Sequence, residues 1–327
     1  MSTLKEAGYV LRWNALLGPL PTFEPTGLIT TPNDNSRRLS GPCTIGPLTV
    51  LPGDRPFVEY RRLEPQTLEG RVEHRSWPVL VEGVQSAATE MAAVRQATRL
   101  LHRLTCLLAL AWSEPWQVRT APQNSSRLPA RVPDSDPLPS DWMPPVHLPQ
   151  PEEVELPSWV RDGWEVVNRD AALAAALTSW HQGILLQSAH PCLALVAYVG
   201  TIEQMAHSPW TQSELERQNI PPTTGSASQF KQTTELVATE EELTLLHEMR
   251  AYGLRSKSAH GAPIVGIETS YGATIPLTLA EHVKPDGNTT VSMAIDTTEP
   301  SHAFMIKLVP AARRVAGRLL RTALGDA

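Results

Sequence analysis

A chain of 327 residues exceeds what one hydrophobic core ordinarily serves, about 100–200 residues, so two domains are expected. Its apolar share of 41% and charged share of 19% describe a globular protein and exclude a disordered one, although 30 prolines require at least one long irregular stretch. The net charge of −6 excludes a protein that coats nucleic acid nonspecifically, because phosphate neutralisation supplies most of such binding, and it leaves room for a small basic site.

No run of about 18 uncharged apolar residues occurs, so no membrane span is expected. The first twenty residues carry Lys5, Glu6 and Arg12 without a separate hydrophobic core and cleavage site, and read as mature protein. Cys43, Cys106 and Cys192 are odd in number and far apart, which suits a reducing, cytoplasmic compartment.

Along residues 1–80, short runs such as Cys43–Leu51 and Trp77–Val81 alternate with Pro, Gly and Asn turn signals, predicting a small sheet. From Gln85 to Trp112 apolar residues recur at helical spacing (Met91, Val94, Ala97, Leu101, Leu104, Leu108), predicting one long buried helix that closes an α+β N-terminal domain over 1–120. Ten prolines between Ala121 and Trp159 break helices and cannot pair in central strands, so 121–160 is expected to be a linker, either a rigid spacer or one draped over a surface.

The remainder, 161–327, is patterned as a mainly α domain. Helices are predicted from Asp170 to about Ala189, from Cys192 to Ala206 behind the helix-starting Pro191, and from Ser301 to Leu324; Phe230 to about Ser258 reads as one long helix or two. Thr239-Glu240-Glu241-Glu242 has the form of a capping box, and Gly261 and Pro263 stop the pattern. Such helices with short joins suffice for a bundle.

Near the end of the third pattern stands Arg255-Ser256-Lys257-Ser258-Ala259-His260. An Arg followed after four residues by a His, at a helix end before Gly261, resembles the signature of the HEPN superfamily, within it the bacterial Apea-like HEPN domains. The apolar helix Leu193–Gln204 is similar to that family's second helix, which often carries a Glu where Glu203 stands. The resemblance covers roughly residues 165–325 and implies a HEPN-like helical bundle that cleaves RNA without metal or cofactor. It further implies a symmetric homodimer that brings two Arg-His motifs into one cleft. Arg255 and His260 would be catalytic, with Ser256 and Glu203 supporting; Ser256 departs from the Asn, Asp or His usual at its position. Related toxins modified by adenylylation carry a Tyr two residues after the His; Ala262 stands there, so that regulation is not expected.

The residue types suit the chemistry. A His titrating near ~6.5 can move the protons of a ribose 2′-OH and a leaving 5′-oxygen, and a permanently charged Arg fits phosphoryl oxygens as charge builds. Five positions at about 100° each place Arg255 and His260 roughly 140° apart on one ideal helix, with a rise of about 7.5 Å. They can therefore converge only where the helix frays near Gly261 or where two copies meet.

Arg250, Lys257 and the stripe Arg314, Arg318 and Arg321 are candidate RNA contacts, and His247 could line the same cleft; for the stripe, His247 and Arg250 a solvated helix face is the commoner reading. The nine tryptophans are scattered rather than interleaved with basic residues, which favours packing over base stacking. His190 with Cys192, or His181 with His190, lacks the paired spacing of zinc ligands, and no Walker loop or Gly-x-Ser-x-Gly elbow occurs, so no metal or cofactor is expected.

The resulting expectation is a cytoplasmic endoribonuclease of HEPN type in bacterial anti-phage defence or a toxin-like system. Residues 1–120 would be the sensor or the inhibitor, with a phage-derived trigger or a regulatory protein as partner. The competing expectation is a bundle that binds RNA or a protein partner without cutting.

Overall fold

The computed structural model describes residues 9–20, 37–63, 70–126, 130–132, 151–187, 190–259, 277–283, 289–295 and 307–326; side chains of 58–63, 70–75, 256–259, 277–283 and 289–295 lie outside that description. The chain divides into two compact units between Asn168 and Arg169.

The first unit is built on an antiparallel sheet. Its long strands are β1 (Tyr9–Pro19) and, across the sheet, β7 (Val79–Ala87), paired from Tyr9 opposite Ala87 to Leu17 opposite Val79. The hairpin β3 (Cys43–Ile45) and β4 (Leu48–Pro52) extends the sheet beyond β7, and β8 (Trp116–Val118) and β9 (Gln123–Asn124) pair with the other edge of β1. Strand β2 (Arg37–Leu39) and the hairpin β5 (Phe57–Leu63) with β6 (Gly70–Ser76) lie apart from this sheet.

Helix α1 (Glu90–Trp112) packs on β1, β7 and β8. Thr89 caps its first turn by accepting from the Ala92 amide, and Ser113 ends it in the left-handed region at φ 54°. The predicted start at Gln85 falls instead within β7, whose pairing with β1 captures those residues first. On the opposite side of the sheet Leu16 and Leu80 pack with Phe57, Ala130 and Val132, and the buried Asn14 side chain accepts from the Ala130 amide at 2.9 Å.

The described parts of 121–160 are thus stitched onto this unit. Beyond β9 and residues 130–132, strand β10 (Glu152–Val154) runs parallel to β2, with Arg37 and Arg38 within 3.9 and 3.8 Å of Glu152 and Glu153. Helix α2 (Ser158–Arg169) follows, and its Trp164 lies over Gly46. Gly46 turns between β3 and β4 at φ 53°, where any side chain would collide with the Trp164 indole. The first unit therefore runs to Asn168, past the expected end of the linker at 160. A Pro-rich stretch does this with short edge pairings that need few amide donors.

The second unit is mainly helical. Helices α3 (Ala171–Leu186) and α4 (Pro191–Met205) form a tightly packed pair. Asp170 caps α3 by accepting from the Ala172 and Leu173 amides, and Pro191 opens α4. Gly183 lets the Tyr198 ring approach the α3 backbone, and the Tyr198 hydroxyl donates to Gln187 Oε1 at 2.7 Å. Residues on most sides of α4 are buried, from Cys192 and Leu195 to Tyr198, Ile202 and Met205. Short helices α5 (Pro209–Arg217) and α6 (Ser226–Glu235) follow.

Where one or two helices were expected over 230–258, the chain forms three. After α6, Thr239 restarts the chain as α7 (Glu240–Glu248) through a complete capping box with Glu242. Arg250, at φ 51°, then breaks α7 from α8 (Ala251–Ala259). Leucine periodicity runs across both breaks because all three helices bury a face in one unit. Strands β11 (Leu277–Val283) and β12 (Thr289–Ile295) form an antiparallel hairpin. Helix α9 (Val309–Ala323) closes the unit, packing Val315, Ala316, Leu319 and Leu320 against α3, α4 and α7. Among the described residues no helix is long and apolar enough to cross a membrane.

Candidate functional site

Helix α4 is the axis around which the candidate residues gather, since α8, α6 and α9 all touch it. Glu203 lies in its last turn, on the side toward α8, and Arg255 lies in the second turn of α8. Arg255 Nη2 meets Glu203 Oε2 at 2.9 Å, with about a third of the arginine side chain (34%) and 18% of the glutamate exposed. The guanidinium is thus anchored along one edge while retaining a face toward solvent; its Nε is buried without a hydrogen-bond partner among the described residues.

Burial pushes the Glu203 carboxyl above the ordinary glutamate range, and Arg255 and His207 pull it back. His207 is exposed, four residues beyond Glu203, where the chain still turns after α4 through a His207 amide bond to the Gln204 carbonyl. It brings a titratable ring close enough for its charge to act on Glu203. Nothing in its sequence surroundings marks it, because the cue is its one-turn separation from a glutamate whose own role is tertiary.

The other candidates fall in several places. Ser256 and Lys257 belong to the backbone of α8, which is described as far as Ala259; their side chains, and His260 altogether, lie outside the described residues. Arg250 is exposed at the left-handed break, and His247 sits half-buried in the last turn of α7 with its Nε2 unpartnered among the described residues.

The stripe on α9 is not an open basic face. Arg314 Nε donates to Glu242 Oε1 at 3.0 Å, Arg318 binds the other carboxylate oxygen, and Arg321 Nε lies 3.8 Å from Asp326. Glu242 itself is buried (4% exposed) and also accepts from the Thr239 amide at 3.1 Å. Burial works to raise its pKa, but the Thr239 amide, Arg314 and Arg318 outweigh it and hold the carboxyl below its usual range. A capping box legible in the sequence therefore carries a second task, locking α7 to α9 through a two-arginine clamp.

Chemically, the Glu203–Arg255 pair holds a partly exposed guanidinium, a group suited to an oxyanion such as a phosphodiester. No family model, no curated protein and no solved structure matches the chain.

Proposed function

We propose that the C-terminal unit is a metal-independent endoribonuclease of HEPN type that acts as a homodimer, with Arg255 and His260 at its centre. The observation that carries this reading is the 2.9 Å pairing of Arg255 with Glu203, because it fixes a partly exposed guanidinium on the helix that leads directly to His260. A glutamate at this place on the preceding apolar helix is also what the resemblance to HEPN domains implies.

In the proposed reaction the ribose 2′-OH loses its proton to His260 and attacks the adjacent phosphorus, and the P–O5′ bond breaks. The leaving 5′-oxygen takes a proton from the His260 of a second copy, leaving a 2′,3′-cyclic phosphate and a 5′-hydroxyl. Arg255 holds the equatorial phosphoryl oxygens as their charge rises, and Glu203 keeps the guanidinium oriented. Ser256 supports the motif. The setting is the cytoplasm of a bacterium, in anti-phage defence or a toxin-like system, with the N-terminal unit as the sensor of a phage-derived or protein trigger.

A second reading has one observation in its favour. The charge of Arg255 is already matched by Glu203, as it would be in a bundle that binds RNA or a protein partner without cutting. Incubating the purified chain with labelled single-stranded RNA in EDTA separates the two. Cleavage by the wild type that is lost in both Arg255→Ala and His260→Ala supports the nuclease. Cleavage that survives both substitutions removes the site, and binding without cleavage leaves the interaction module.

A further inference from the structure

One face of α1 is used neither by the fold nor by the proposed site. Arg95, Arg99 and Arg103 follow at four-residue intervals, so they line one side of the helix with a rise of about 6 Å and a drift of about 40° per step. Arg95 and Arg99 are exposed, and neither meets a carboxylate among the described residues. Glu90, in the first turn, is the only acidic residue of the helix. Arg103 is steadied from α2, donating to Asn168 Oδ1 with its guanidinium 6.0 Å from the centre of the Trp164 ring.

This row differs from Arg314, Arg318 and Arg321 of α9, each of which faces a carboxylate. Like charges four residues apart oppose the helix; Arg103 is held by Asn168 and Trp164, whereas no described carboxylate offsets the charges of Arg95 and Arg99. A ligand with evenly repeated negative charge would, and guanidinium groups pair with phosphate oxygens through two parallel hydrogen bonds. Of the neighbouring exposed side chains, Thr98 and Gln96 are short or flexible, and His102, three residues after Arg99, adds one imidazole to the row.

We propose that this face of α1 docks the phosphodiester backbone of RNA, independently of sequence. The preference for RNA rests on the reading of the C-terminal unit as an RNA-cleaving domain; the requirement for a repeated anion rests on α1 alone.

The test is fluorescence anisotropy of a labelled single-stranded RNA with the full chain carrying His260→Ala, so that the strand stays intact, with and without Arg95→Ala and Arg99→Ala. Salt is varied from about 50 to about 200 mM. Losing two contacts at about 0.7 each should reduce the slope of log affinity against log salt by about 1.4, with affinity about tenfold lower at the high-salt end and about sixtyfold lower at the low-salt end. Both positions are exposed, so thermal unfolding serves as the check that the fold is intact. Equal affinity and slope in the two proteins overturn the proposal, as does a chain that does not bind RNA. Competition by polyglutamate as effective as by unlabelled RNA also overturns it, in favour of an acidic protein. Wild-type cleavage is scored separately: stripe-dependent binding with no cleavage removes the nuclease reading alone, and cleavage with stripe-independent binding removes this inference alone.

Discussion

Arg255 on α8 and Glu203 on α4 meet at 2.9 Å, and each is the other's charge partner at a half-buried position. Removing either leaves the other poorly solvated, so the two substitutions should not add. Arg255→Ala and Glu203→Ala are each expected to cost about 1–2 kcal/mol, and the double variant little more than one of them. Urea denaturation of the four proteins measures the coupling; additive losses would show the pair to be unlinked. In the cleavage assay, Glu203→Gln should lower kcat while His260 is intact, because the guanidinium loses its fixed orientation.

Glu242 predicts an acid-sensitive joint. Its folded-state pKa lies below the unfolded value, so the stability it contributes is fully present above the usual glutamate range and lost as pH falls through the depressed value. Wild-type stability should therefore drop on acidification below about pH 4.5, and a Glu242→Gln chain should show a shallower loss over the same window. At neutral pH that substitution removes the charge that Arg314 and Arg318 share, and because both arginines reach solvent it should cost about 1–2 kcal/mol, read as a lower denaturation midpoint. An unchanged midpoint would show the clamp to be idle.

The opposite sign holds for Glu114, just after the left-handed end of α1. Burial raises its carboxyl to about 7, against the pull of Arg37 and the Trp116 indole. A raised folded-state pKa means that the native state binds the proton more tightly, so stability falls as pH rises from the unfolded value toward about 7. Glu114→Gln should raise Tm at pH 8 by roughly 4 °C and leave it little changed at pH 5, as followed by circular dichroism.

Two glycines mark close approaches. Gly183→Ala would push a methyl into the Tyr198 ring, and Gly46→Ala adds a left-handed backbone penalty to a clash with Trp164. Losses of about 1–3 kcal/mol are expected at Gly183 and at least as much at Gly46. Near-UV spectra would report the Trp164 displacement directly.

Much of this architecture is legible as periodicity. Helices α1, α3, α4 and α9 each bury a long stripe, and the spacing of Leu101, Leu104 and Leu108 or of Val315 and Leu319 shows it without any structure. The stretch 230–258 misleads because hydrophobic spacing persists through two breaks that only Thr239, as a cap, and Arg250, by its backbone angle, reveal. Proline content likewise hides the edge pairings of 121–160, since two- and three-residue strands leave no alternation to read. At the candidate site, Glu203 and Arg255 were nameable from their motif context, whereas the Glu242 clamp depends on residues more than seventy positions apart and has no local signature.

The left-handed residue Arg250 has a consequence for how the site tolerates change. In an unbroken helix, inserting one residue into α7 would swing everything downstream by about 100° and carry Arg255 away from Glu203. With the helix interrupted at Arg250, the azimuth of α8 is set by its seat on α4, so length variation upstream can be absorbed at the joint. The segment from Ala251 to Ala259 behaves as an independently mounted part, whose alignment answers to α4 and not to the helix before it.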